Sequence, residues 1–177
     1  MRACVYCGSS AGADPAFADG VRALAGELAR RGAGVVYGGG AVGLMGALAD
    51  AALDAGAEVV GVIPRALMER ELGHRAIGDL RVVGSMHERK ALMADLSDAF
   101  IAAPGGIGTL EELVEVYTWL QLGLHDKPLG LLDVGGYWQP LVVWLDHAVE
   151  AGFLREATRA ALVVDADPAT LLDRLGF

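Results

Sequence analysis

Short apolar runs of strand length alternate with longer segments of helical period from one end of the chain to the other. That alternation is the signature of repeated strand–helix–strand units around a parallel sheet with helices on both faces. Strands are expected at Arg2–Cys7, Gly34–Tyr37, Glu58–Ile63, Leu80–Val83, Ala99–Ala103, Leu129–Leu132 and Leu162–Val164. Helices are expected near Pro15–Arg31, Gly43–Ala55, Met86–Leu96, Thr109–Leu122, Tyr137–Ala151 and Pro168–Leu175. No internal repeat, charge block or low-complexity linker interrupts the series, so residues 1–177 read as a single α/β domain.

Three function classes drop out on composition. Apolar residues make up 54% of the chain, yet no run approaches the roughly 18 residues that cross a bilayer. The amino terminus enters a strand without a signal peptide's long apolar stretch, which points to a cytoplasmic protein. A net charge of −9 argues against binding nucleic acid or acidic membranes, both of which need clustered positive charge. The only cysteines, Cys4 and Cys7, form a C-x-x-C, but their odd spacing on a strand sends the thiols to opposite faces. With no histidine pair nearby to complete a zinc site, they read as buried spectators, and no metal is expected.

Three loops at strand carboxyl ends are rich in small residues, and each precedes a helix: Gly8-Ser9-Ser10, Gly38-Gly39-Gly40 and Gly105-Gly106-Ile107-Gly108-Thr109. Backbone without a β-carbon can approach a ligand closely, and the amides that open the next helix can bind an anion. Together they suggest a phosphate-bearing ligand, with Gly8, Ser9, Gly39, Gly40 and Met45 as further ligand-edge positions. Gly38, Gly40 and Gly43 also satisfy G-x-G-x-x-G, which raises dinucleotide binding. The following strand, however, closes with Val62-Ile63-Pro64 and carries no ribose-binding acid at that end. No G-K-[ST] is present, so a P-loop is excluded.

Two charges interrupt apolar helical stripes. Thr109, Glu112, Val116 and Trp119 share one stripe, which turns Glu112 inward at the ligand edge. Glu111 is explained by its place in a helix's first turn, whereas the inward direction of Glu112 is not. In the preceding helix Met86, Arg89, Met93 and Leu96 share a stripe, so Arg89 stands on an apolar face near a helix start, where a cation is unfavourable. An arginine there calls for an anionic partner, either Glu112 or a ligand phosphate. The segment Pro64–Asp79 is the least regular part of the chain and lies at the same sheet edge.

Pro104-Gly105-Gly106-Ile107-Gly108-Thr109-Leu110-Glu111-Glu112 matches P-G-G-x-G-T-x-x-E, and the chain resembles the LOG ("Lonely Guy") family, the cytokinin riboside 5′-monophosphate phosphoribohydrolases. The likeness extends to Cys7-Gly8-Ser9-Ser10, Gly43-Leu44-Met45-Gly46, Met86-His87-Glu88-Arg89-Lys90 and the stretch from Trp119 to Gly130. It implies a Rossmann-like three-layer fold with a mainly parallel central sheet, a homodimer, and hydrolysis of N6-modified AMP, often AMP too, to free base and ribose 5-phosphate without a cofactor. By motif position Arg89 and Glu112 would be the catalytic pair. Substrate contacts would come from Glu71, Arg89, Lys90, Gly105, Gly106, Ile107, Gly108, Thr109, Leu110, Glu111 and Tyr117.

Two alternatives stand beside this reading, and a third label fails on the residues. Relatives of this fold include molybdenum-cofactor carriers, which hold a phosphorylated ligand without turning it over. A phosphoribohydrolase acting on other nucleoside monophosphates is a second alternative. The label "lysine decarboxylase" borne by many such sequences requires a pyridoxal-phosphate lysine, and the chain's two lysines, Lys90 and Lys127, sit in no recognisable cofactor motif.

Overall fold

Valine-, leucine- and isoleucine-rich runs form strands that are buried on both faces, as a sheet between two helical layers requires. The computed structural model describes residues 1–68, 73, 74 and 76–177. Its strands are β1 (Arg2–Tyr6), β2 (Gly34–Tyr37), β3 (Val59–Pro64), β4 (Asp79–Val83), β5 (Ala99–Ala102), β6 (Leu129–Leu132) and β7 (Leu162–Asp165). Its helices are α1 (Pro15–Arg30), α2 (Gly43–Asp54), α3 (Met86–Asp95), α4 (Ile107–Gln121), α5 (Gln139–Glu150), α6 (Glu156–Ala161) and α7 (Pro168–Leu175).

Among the described residues the seven strands form one sheet in the order β4-β3-β2-β1-β5-β6-β7, and every pairing is parallel. β1 is central, with Cys4 opposite Val36 of β2 on one side and Phe100 of β5 on the other. Chain order reverses direction between β1 and β5. In open α/β sheets the crevice at that switch point, outside the carboxyl ends of the strands, is where ligands bind.

Alternation along β1 feeds two separate cores. Ala3, Val5 and Cys7 pack with Val21, Leu24 and Leu28 of α1, with α2 and with α7. Cys4 and Tyr6 face the opposite layer, with Met93 of α3, Leu113 and Val116 of α4, and Leu145 of α5. Helices thus cover both faces, and the two cysteines point to opposite sides as their spacing requires.

Two departures from the expected elements matter for the site. α4 begins at Ile107 rather than Thr109, because Gly106 takes the extended N-cap conformation. α5 begins at Gln139 rather than Tyr137, since the chain first makes a tight turn over Val134–Gly136 that leaves Tyr137 on a connecting arm. The short helix α6 was not expected, for its Glu-Ala-Thr-Arg-Ala-Ala sequence has no apolar period. Among the described residues no helix is long and apolar enough to cross a membrane.

Candidate active site

The loops after β1, β2 and β5 meet at the switch point, but they do not contribute in the same way. The Gly8 amide donates to the carbonyl of Pro104 at 3.0 Å, tying the first loop to the third. Its own carbonyl accepts from Leu44 and Met45, at 3.0 and 3.3 Å, in the first turn of α2. Gly43 begins that turn with a φ of +61°, and a β-carbon there would collide with the backbone of Ser9. The start of α2 is therefore closed by the protein itself.

The second loop serves the structure as well. Gly39 accepts the amide of His74 at 2.9 Å, and Gly40 bridges to Gly73. The His74 ring in turn meets Asp50 Oδ1 at 2.9 Å. Gly39 and Gly40, expected at the ligand edge, are thus occupied in holding His74 and Gly73, and neither lines the cleft.

The third loop differs. Gly106 caps α4 with no side-chain hydrogen bond, and only Leu110 returns to it, donating to the Gly106 carbonyl at 3.1 Å. The first four amides of a helix have no intrahelical partner, so those of residues 106–109 open toward whatever lies in front of them. In front lies a cleft of about 290 Å³ lined by Cys7, Gly8, Ser9, Met45, Leu67, Met86, Arg89, Glu111, Glu112 and residues 106–109.

Arg89 and Glu112 face each other inside this cleft. Arg89 Nη2 donates to the Gly38 carbonyl at 3.1 Å and stands 4.0 Å from Glu112 Oε1. Both side chains are largely buried, 6% and 12% exposed, and a pair of opposite charges at that depth is retained only where each compensates the other's lost hydration. The guanidinium reaches this place because residue 38 is glycine: a β-carbon there would overlap it. The first turn of α3 is fixed by Ser85, whose hydroxyl accepts the Glu88 amide at 3.1 Å, while Glu88 takes the Gly84 amide at 2.8 Å. These two bonds, with the Glu88 carboxylate in the first turn, stabilise the helix start and work against the unfavourable position of a cation there.

The remaining expected contacts divide. Lys90 turns away from the cleft to Glu111 at 2.7 Å and Glu115 at 3.0 Å. Burial works against its charge, but the two carboxylates more than offset this and hold its pKa above the ordinary lysine value. Lys90 therefore orients Glu111, which does line the cleft. Leu110 packs into the core beneath α4. Tyr117 lies farther along that helix, donates to the Thr158 carbonyl at 2.8 Å and lines a separate apolar pocket. Gly105 lines a smaller recess beside the cleft, and Glu71 lies outside the described residues.

Leu67, Met86, Cys7 and Tyr137 also border these cavities, although the sequence marks none of them as a site residue and Cys7 reads there as a buried spectator. Met86 belongs to the apolar stripe of α3, and Leu67 lies where the sequence has no period to follow. Cys7 lines the cleft without being a nucleophile in waiting: burial pushes its thiol well above the ordinary range and that of Cys4 up to about 12. Among the described residues no group of three or more His, Cys, Asp or Glu side chains is placed to hold a metal ion.

Comparison with known proteins bears on this geometry. Residues 45–175 match a family model described as "Possible lysine decarboxylase". The chain is 50% identical over 174 residues to the cytokinin riboside 5′-monophosphate phosphoribohydrolase LOG3 of Arabidopsis thaliana, covering 98% of this chain and 81% of that protein. It is 51% identical over 162 residues to the corresponding LOG protein of Oryza sativa subsp. japonica, covering 92% of this chain and 67% of the relative.

The chain belongs to the LOG family. The decarboxylase wording of the family model has no support from lysines in this LOG protein's cleft. Lys90 is engaged by two carboxylates, and Lys127 donates to the Ala94 carbonyl at 2.7 Å beside Phe100. Among solved structures, the molybdenum cofactor carrier protein of Chlamydomonas reinhardtii superposes with a TM-score of 0.71 at 22% identity, covering 98% of this chain and 96% of that one. A molybdenum cofactor binding protein of Rippkaea orientalis gives 0.70 at 20%, covering 98% and 93%. These two share the α/β three-layer fold with the LOG chain.

Proposed function

We propose that this LOG protein hydrolyses the N-glycosidic bond of cytokinin riboside 5′-monophosphates, releasing the free base and ribose 5-phosphate, and that it also accepts AMP. The observation that carries the reading is the buried Arg89–Glu112 pair beside the open amino terminus of α4, in a chain half identical over nearly its whole length to curated phosphoribohydrolases. A carrier needs the phosphate cradle but has no evident use for an inward carboxylate.

Cleavage of the bond from base to ribose builds positive charge on the sugar. The Glu112 carboxylate stabilises that charge and orients the attacking water. The amides of residues 106–109, with the Thr109 hydroxyl, hold the 5′-phosphate, where the helix dipole favours an anion, and so fix the sugar against Glu112. Arg89, 4.0 Å from Glu112, holds that carboxylate in place, and its position on the cleft lining lets the guanidinium serve ribose or phosphate oxygens in this reading.

A second copy of the chain completes the assembly in this reading. Trp144 and Val143 of α5 are 61% and 65% exposed, and Phe153 just beyond is 88% exposed, alongside an apolar pocket of about 470 Å³. Exposed apolar surface of this extent suits a homodimer. Leu122 and Leu124, at the end of α4, add 65% and 70% exposed side chains. We place the enzyme in the cytoplasm.

Chromatography of products after incubation with isopentenyladenosine 5′-monophosphate and with AMP, using Glu112→Gln as control, tests the activity. Free base from the wild type alone supports it; an intact nucleotide in both reactions overturns it. Light scattering at working concentration tests the dimer, and a monomeric mass would refute it.

A further inference from the structure

We propose that Tyr137 is a positioning residue for phosphate capture: its hydroxyl holds the Gly105–Gly106 peptide in the orientation that turns the Gly106 amide toward the cleft. The proposal rests on the reading of α4's amino terminus as the phosphate subsite.

The Tyr137 hydroxyl donates to the Gly105 carbonyl. The chain has no cis peptide among the described residues, and in a planar trans peptide the carbonyl and the next amide point in opposite directions. Gly105 and Tyr137 both line the recess of about 270 Å³, and neither lines the cleft. Gly106 borders both cavities. With its carbonyl end held on the recess side, this peptide presents its N–H on the cleft side.

Orientation here needs an outside hold. Two successive glycines have no side chains to resist rotation of the peptide between them. A flipped peptide would offer a carbonyl oxygen to the phosphate in place of a donor, exchanging attraction for repulsion. The arm that bears Tyr137 is well placed to prevent this. The Tyr137 ring packs edge-on against Phe17 of α1, with centroids 5.4 Å apart at 76°, and against Trp138 at 5.1 Å and 85°. The Trp138 amide is anchored to Asp133 Oδ1 at 2.7 Å. Phe17 and Asp133 thus brace the tyrosine from two elements that carry none of the proposed chemistry.

The test is calorimetric titration of wild type, Tyr137→Phe and Tyr137→Ala with inorganic phosphate and with ribose 5-phosphate, alongside AMP kinetics. Loss of one hydrogen bond that orders a donor should weaken both ligands about three- to tenfold in Tyr137→Phe. KM for AMP should rise by a similar factor with kcat nearly unchanged, and the ligand-free melting temperature should stay within about a degree of wild type. A merely structural role would move the melting temperature and leave phosphate affinity alone. Wild-type affinity in Tyr137→Phe, with weakening only in Tyr137→Ala, would assign the effect to the ring and overturn the hydroxyl's role. Absence of phosphate and ribose 5-phosphate binding to the wild type would overturn the phosphate subsite itself, and this inference with it.

Discussion

The amino termini of α2 and α4 look interchangeable in outline and are opposites in chemistry. Each follows a glycine-rich loop at the carboxyl edge of the sheet, and each points at the switch point beside β1. At α2 the Gly8 carbonyl accepts from Leu44 and Met45, so the helix start is satisfied from within. At α4 the Gly106 cap supplies no side-chain acceptor, and the helix start faces the cleft. The difference continues inward. The sixth residue of α2 is Leu48, fully buried in the core, whereas the sixth residue of α4 is Glu112, beside Arg89. A glycine loop is thus a place where backbone can come close to something, and hydrogen-bond accounting decides whether that something is ligand or protein.

The sharpest way to separate the two helices is to remove the charge from α4. Glu112→Gln keeps the side chain's shape and should keep the fold, while turnover of AMP should fall by about two to three orders of magnitude, the scale of losing one preorganised electrostatic contact. Product chromatography together with a melting curve reads both. Near-normal turnover in a folded variant would dissolve the contrast between Glu112 and Leu48.

Substitution of one glycine in each helix start should give effects of different kinds. Gly43→Ala forces a left-handed backbone on an alanine and drives its methyl into the Ser9 backbone. It should cost about 2 kcal/mol or more of stability, measurable by denaturant titration. Gly108→Ala meets no atom within 4 Å of the new carbon and improves helix propensity by up to about 1 kcal/mol, so stability should hold or rise. Gly108 lines the cleft, so the added methyl should intrude on the ligand and KM for AMP should increase several-fold. An unstable Gly108→Ala, or a stable Gly43→Ala with impaired KM, would reverse the assignment of the two loops.

Much of this is legible in the sequence. The apolar periods located the strands to within about a residue, and the stripes through Thr109–Val116 and Met86–Met93 brought Glu112 and Arg89 to the same cleft. What one chain position at a time cannot reveal is which backbone groups are already spent. Nothing in Gly38-Gly39-Gly40 announces that its carbonyls will receive Arg89 and His74. Likewise, the motif neighbour Lys90 could not be assigned a direction, because Glu111 and Glu115 compete with any substrate for its ammonium. Tyr137 carries no signal in the sequence because its partner is a carbonyl more than thirty residues earlier, brought near only by the crossing from β6 to α5.

The smallest predicted effect comes from a third helix start, α7, where the chain supplies its own anion. Asp167 accepts the Thr170 amide and hydroxyl, each at 2.8 Å, and those bonds hold its carboxyl below the ordinary value of 3.8. A carboxylate depressed in the folded state stabilises the protein at neutral pH, and the contribution persists down to its unfolded value. It is then lost as pH falls through the lower folded value. The melting temperature of wild type should therefore carry a small acid-dependent drop below about pH 4 that is missing from Asp167→Asn, which keeps a capping oxygen but cannot titrate. At α4 no residue plays this part, and the matching stabilisation should instead arrive with phosphate. Added inorganic phosphate should raise the melting temperature of both proteins equally, because the phosphate subsite proposed at α4 is separate from the cap of α7. Loss of that increment in Asp167→Asn would mean that the two helix starts are not independent.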